Sequence, residues 1–194
     1  MGTDSKVQNI GNLLGKIISI DKNNQSYEIV SLGHRNPQGL FYYKDQYEKE
    51  FIINSEHGPK GGDEINVNNL KDKRMPNFGW PVSSYGINYD GTNPFKSSHI
   101  EYGFDEPLIY FTPSIGISEI SVVNFENTNI IYASSLRANS IYIVNVDKNF
   151  EKVINTDRLN FDKRIRDIKY SKKLEGLIAI FEETPSIALI KNYD

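Results

Sequence analysis

The chain is predicted to be an all-β protein assembled from repeated sheet units, on three observations. Short runs alternating apolar and polar residues recur along the sequence, divided by polar turns. β-Branched and aromatic residues concentrate in those runs, as a pleated, half-buried surface favours. No stretch of about 12 residues or more combines helical periodicity with caps.

The first run, residues 13–21, alternates over its second half and closes on Asp21, Lys22, Asn23 and Asn24. Residues 39–43 and 50–54 follow, separated by a charged turn at 44–49. The stretch 66–98 is rich in Gly, Pro and Asn and reads as one long functional loop with short ordered pieces. Runs at 120–123, 130–134 and 140–146 come next, and 150–154 continues them beyond the turn at 147–149. The last pair is 165–170 and 176–181. Strand groups of this kind fit blade-like units of roughly 40 to 50 residues. The 194 residues then supply about three to four blades of a β-propeller, as one partial domain over 1–194. A propeller hides its strand edges only by closing, so a partial ring leaves two exposed.

Composition narrows the function classes. Hydrophobic residues make up 38% and charged residues 24%, a globular balance. The net charge of −3 gives no basic patch for nucleic acid. Without cysteine there is no disulfide, thiolate metal site, cysteine nucleophile or haem attachment. No apolar run approaches the roughly 18 residues of a membrane span. Met1 to Ser5 lead into a polar stretch with no signal-peptide pattern.

Three stretches carry the chemistry: G-H-R-N-P-Q-G at 33–39, E-H-G-P-K-G-G-D-E-I-N at 56–66 and N-F-G-W-P at 77–81. Arg35 offers a planar fork for a carboxylate, and Asn36 both a donor and an acceptor. Taken alone, Arg35 reads equally as a surface ion pair. Gly58 and Pro59 tip a tight loop that turns carbonyl oxygens outward, hard ligands of the kind Ca²⁺ prefers, with Asp63 and Glu64 nearby. Taken alone, this is an ordinary turn with solvated acids, and it lacks the EF-hand pattern.

In order and spacing these motifs resemble the glucose/sorbosone dehydrogenases, soluble aldose dehydrogenases that use pyrroloquinoline quinone (PQQ). The resemblance runs from about Gln8 to Phe181 and corresponds to the family's C-terminal part. It implies a six-bladed propeller with PQQ over the central channel. Arg35 and Asn36 would contact PQQ, and the Gly58 and Pro59 carbonyls would hold Ca²⁺. Asp63 would orient groups at the rim, and Trp80 would pack beneath the loop. Arg164 and Arg166 alternate along a strand and match a family R-x-R-D that meets PQQ carboxylates; a solvated basic face is the plainer reading, and Asp167 points away. Arg137 stands where the family usually has lysine, keeping the charge but not its geometry. Tyr110 and Phe111, before Pro113, match an aromatic pair close to the sugar; as strand residues they are equally core candidates.

The family's general base, a histidine taking the proton from the anomeric hydroxyl, lies upstream of the region matched by Leu13 to Lys16. His34 and His57 sit in motif loops and are expected in structural hydrogen bonds; His99 is expected exposed. None is assigned as the base, so the catalytic set lacks its histidine. The abrupt start at Met1 to Asp4 is that expected of a truncated frame, and a reduced, inactive family member is the other explanation. The resemblance implies an aldose substrate, an external electron acceptor and a periplasmic or secreted location. Two further readings are a non-catalytic propeller binding a sugar or protein, and a calcium-dependent hydrolase, for which the needed Asp/His cluster is missing.

Overall fold

The structure, a computed structural model, describes residues 6–72, 74–125, 128–183 and 185–191, so Met1 to Ser5 lie outside it. The strands are β1 (Lys16–Ile20), β2 (Tyr27–Leu32), β3 (Pro37–Lys44), β4 (Glu50–Glu56), β5 (Asp63–Asn69) and β6 (Ile109–Phe111). They continue as β7 (Ile117–Asn124), β8 (Thr128–Ser135), β9 (Ser140–Asp147), β10 (Val153–Asn160), β11 (Ile165–Ser171), β12 (Gly176–Phe181) and β13 (Ser186–Ile190). The only helical element among the described residues is a 3₁₀ turn at Ile100–Tyr102.

The strands form four separate antiparallel sheets, β1–β2, β3–β4–β5–β6, β7–β8–β9–β10 and β11–β12–β13. The all-β class holds. The propeller expectation does not: no sheet closes on itself, and the sheets do not join into a ring. β1 pairs only with β2 and β13 only with β12, so the closure a propeller needs is missing. β10 and β13 are instead largely exposed outer strands.

Three of the sheets meet around β7, the innermost strand, which packs on β3, β4 and β11 besides pairing with β8. The main core lies between the sheets holding β4–β5 and β7–β9, where Phe51, Ile53, Ile65, Ile117, Ile131, Val144 and Phe150 are buried. A second core joins Ile141 of β9 to Ile165, Ile168, Leu177, Ala179 and Phe181. Each such side chain contributes about 1.5–3 kcal/mol through burial.

The described residues of 70–108 contain no strand but are not loose. Single bridges tie Leu32 to Asn77, Lys60 to Ile87 and Ser83 to Lys96. Phe78 and Phe95 are buried beneath them. Gly33 sits at φ +80°, where a Cβ would come within 2.6 Å of the Gly79 nitrogen, so the two motif loops approach at a spacing only glycine allows.

Antiparallel pairing makes successive turns alternate between sheet ends. The β2–β3, β4–β5, β6–β7, β8–β9, β10–β11 and β12–β13 connections all fall at one end. Pairing of Pro37 with Glu56, Asp63 with Phe111, Asn160 with Ser140 and Ile165 with Phe181 fixes this arrangement.

Candidate cofactor site

The β4–β5 turn is built around Asp63, which is fully buried. Its Oδ1 accepts from the Gly58 amide at 3.2 Å and from Ser114 Oγ at 2.6 Å. Its Oδ2 accepts from the Ile117 amide at 3.0 Å. Burial alone would raise its pKa; His57, 3.8 Å away, and these donors outweigh burial and hold it below the usual carboxylate value. Asp63 is thus an anchored anion that joins the turn to the segment entering β7.

Gly58 and Pro59 are buried, and the exposed tip of the turn is Lys60. A Cβ on Gly58 would meet the Gly61 carbonyl oxygen at 2.1 Å and that of Gly62 at 2.3 Å. Among the described residues no hydrogen bond ends on the Gly58 or Pro59 carbonyl oxygen. Arg35 Nη1 donates to the His57 carbonyl at 3.1 Å, and its guanidinium lies 5.3 Å from the Trp80 ring centre. Trp80 in turn packs on Phe95 at 5.2 Å. Asn36 is exposed; its carbonyl accepts from the His57 amide and its Oδ1 from Gln38.

Behind this loop lie two buried histidine–glutamate pairs. His34 bridges Ser31 Oγ at 2.8 Å and Glu56 Oε2 at 3.1 Å. His99 is 1% exposed, which corrects the expectation of a solvated side chain. Ser83 Oγ meets its Nδ1 at 2.9 Å, while its Nε2 faces Glu64 Oε1 at 3.5 Å without a hydrogen bond. Glu56 and Glu64 are directly opposed across β4 and β5. Burial, opposed by His99 and reinforced by the Glu56 charge, pushes the Glu64 carboxyl up to about 7. Glu56, Glu64, Ser83 and Ser84 line a cavity of about 10 Å³, room for one water. The sequence holds these residues in plain view, but separations such as 22 residues for His34–Glu56 gave no local signal.

Along the same end, Arg137 is exposed on the β8–β9 turn. Arg164 Nη1 reaches the neighbouring Leu136 carbonyl at 3.5 Å. Arg164 Nε and Arg166 Nη2 grip one carboxylate, Glu182, at 2.8 and 2.7 Å. Those two donors hold Glu182 below its usual pKa. Tyr110 is exposed and stacks on Tyr85, with ring centres 3.8 Å apart and planes within 4°. Phe111 instead sinks into the main core, edge-on to Tyr142 at 5.2 Å. Both line an open groove of about 520 Å³ with Ser114, Arg137 and Arg158, and none of its lining residues is acidic.

This donor set suits the group the resemblance implies. The two carbonyls on the Gly58–Pro59 turn are hard oxygen ligands, and no cluster of three His, Asp or Glu competes for a cation among the described residues. The arginines match carboxylates, as Glu182 demonstrates.

The family described as Glucose / Sorbosone dehydrogenase matches residues 1–191. Aldose sugar dehydrogenase YliI of Escherichia coli (strain K12) is 30% identical over 171 residues, covering 84% of this chain and 43% of that protein. Quinoprotein glucose dehydrogenase B of Acinetobacter calcoaceticus is 37% identical over 84 residues, 37% of this chain and 16% of that protein. The crystal structure of the soluble aldose sugar dehydrogenase from Escherichia coli in the apo form superposes with TM-score 0.73 at 27% identity, covering 94% of this chain and 55% of that one. A crystal structure of a glucose dehydrogenase gives TM-score 0.72 at 25% identity, covering 93% and 55%. The chain thus spans about half the length of the relatives it matches. With the family match running almost end to end, the chain belongs to the glucose/sorbosone dehydrogenase family.

Proposed function

We propose that this chain forms the cofactor-holding part of a PQQ- and Ca²⁺-dependent aldose dehydrogenase. The reaction is oxidation of the anomeric C1 hydroxyl to a lactone, with electrons leaving to an external acceptor. A periplasmic or secreted location goes with this reading. The observation that supports it is that Arg35, Arg137, Arg164, Arg166 and the Gly58–Pro59 turn lie on or beside connections at the same end of the sheets.

Arg164, Arg166 and Arg137 would bind ligand carboxylates, and Arg35 and Asn36 would orient the ring system. The Gly58 and Pro59 carbonyls would hold Ca²⁺. When bound, PQQ supplies a hydride acceptor and Ca²⁺ a Lewis acid beside it. Asp63 fixes the calcium turn from beneath. Tyr110 would present an aromatic face to the C–H side of a sugar in the open groove. No described histidine is assigned as proton acceptor: His34 and His99 are buried, and His57 faces Asp63. The chain alone is therefore proposed to bind the cofactor without turning over sugar.

The test is titration of the purified chain with PQQ, with and without Ca²⁺, followed by absorbance and thermal shift. Binding that requires Ca²⁺ and is lost in Arg164→Ala supports the reading. A folded chain that ignores PQQ at every Ca²⁺ concentration overturns it.

A further inference from the structure

Arg164 and Arg166 are two cations separated by one residue, Arg164 just ahead of β11 and Arg166 its second residue, yet both reach the same side chain. Glu182 gives one oxygen to each, at 2.8 Å to Arg164 Nε and 2.7 Å to Arg166 Nη2. Its backbone is fixed in the same place, because the Glu182 amide donates to the Arg164 carbonyl at 3.0 Å. The clamp therefore belongs to the edge of the β11–β12 pair and is not a chance meeting of long side chains. β11 carries a register shift between Ile165 and Asp167, where Arg166 lies.

The clamp leaves donors over. A guanidinium has five N–H groups. Among the described residues, Arg166 uses only Nη2, while Arg164 uses Nε, which also lies 3.9 Å from Glu183 Oε1, and a long contact from Nη1 to Leu136. Both arginines keep exposure, 35% and 46% of the side chain. Arg137, exposed, directly follows Leu136, whose carbonyl Arg164 reaches.

We propose that Glu182 is a positioning residue: its single carboxylate holds Arg164 and Arg166 side by side, so that their remaining N–H groups form one preorganised seat for a ligand carboxylate. This rests on the cofactor reading above and assigns a residue to it. Without Glu182 the two cations repel and separate, and a ligand must bring them together again, which weakens binding. A plain charge argument gives the opposite sign, since an acid beside an anion site opposes anion binding. The sign of the effect decides between them.

The experiment titrates wild type, Glu182→Gln and Glu182→Asp at low salt with PQQ in the presence of Ca²⁺ and, separately, with benzene-1,3,5-tricarboxylate without Ca²⁺, followed by absorbance or calorimetry. Folding is verified by circular dichroism. The expected result is roughly tenfold weaker binding in Glu182→Gln, with partial recovery in Glu182→Asp. Glu182→Gln in an Arg166→Ala background should add little, because the clamp is already broken. Unchanged or tighter binding in Glu182→Gln overturns the proposal, even where PQQ binds and the cofactor reading stands. Glu182-dependent binding of the tricarboxylate without PQQ binding supports the seat and removes the cofactor reading. Failure of both anions to bind wild type overturns both. Should Glu182→Gln not fold, Glu182→Asp measured against Arg166→Ala carries the same comparison.

Discussion

Asp63 Oδ1 accepts a 2.6 Å hydrogen bond from Ser114 Oγ across 51 residues of sequence, and this contact joins the β4–β5 turn to the segment that opens β7. Removing the carboxylate leaves the amides of Gly58 and Ile117 and the Ser114 hydroxyl without an acceptor. Asp63→Ala should destabilise the chain by about 3 kcal/mol, since each unpaired buried group costs about 1–3 kcal/mol. Because its folded pKa lies below the ordinary value, the stability Asp63 contributes is present above that ordinary value and is lost as pH falls through the depressed one. Urea unfolding at pH 7 and pH 3 checks this: the gap between wild type and Asp63→Ala should shrink at the lower pH.

Glu64 has the opposite sign. Its folded pKa is raised from 4.5 to about 7, so the folded chain holds a proton that the unfolded chain has released. That contribution is full below 4.5 and fades as pH rises through about 7. Glu64→Gln should flatten the fall in melting temperature across this window and be at least as stable as wild type at pH 8. A variant that reproduces the wild-type slope would leave Glu64 ionised and the assignment wrong.

How much of this was legible in the sequence depended on what each strand had to bury. β4, β7, β8, β9 and β12 carry Ile, Val and Phe toward the cores, and their alternation announces them. β5, D-E-I-N-V-N-N, is almost wholly buried yet dominated by acids and amides, so it read as a loop. β6 has three residues, too few for any period. The body of β10 is exposed, and β13 is a mostly exposed outer strand that turns only Ala188 and Ile190 toward the second core, too little to pattern it. The motif loops were legible because charge, glycine and proline fall at fixed spacing. His99 was not, because its partners Ser83 and Glu64 come from distant segments. The partial propeller failed as an expectation because the short-range strand pattern says nothing about how successive sheets are placed against one another.

Gly58 gives a prediction about the turn proposed to hold Ca²⁺. Any Cβ there strikes two backbone carbonyls, of Gly61 and Gly62, which cannot rotate away as a side chain would. Gly58→Ala should therefore move the turn and abolish Ca²⁺-dependent thermal stabilisation in the presence of PQQ. Binding of a tricarboxylate at the arginines should survive. Stabilisation by ligand at 100 times its Kd is worth about 2.7 kcal/mol, large enough to read as a shift in melting temperature. Retention of the full shift in Gly58→Ala would place the cation elsewhere.

Tyr85 and Tyr110 link the long segment 70–108 to the site end through a parallel stack at 3.8 Å. The Tyr85 hydroxyl also donates to Glu106, whose other oxygen accepts from the His99 and Ile100 amides. Partial burial, helped by Glu106, raises the Tyr85 pKa, so the phenol stays protonated as a donor. The ring stack and the hydroxyl can be separated by substitution. Tyr85→Ala and Tyr110→Ala, combined in a double-mutant cycle, should show a coupling of about 0.5–1.5 kcal/mol. Tyr85→Phe keeps the stack and loses only the link to Glu106, so its coupling to Tyr110→Ala should match that of the tyrosine. Equilibrium unfolding of the variants measures both quantities. A coupling near zero would mean that the segment is held by its backbone bridges and buried Phe78 and Phe95 alone, leaving the exposed Tyr110 ring free to move over the groove.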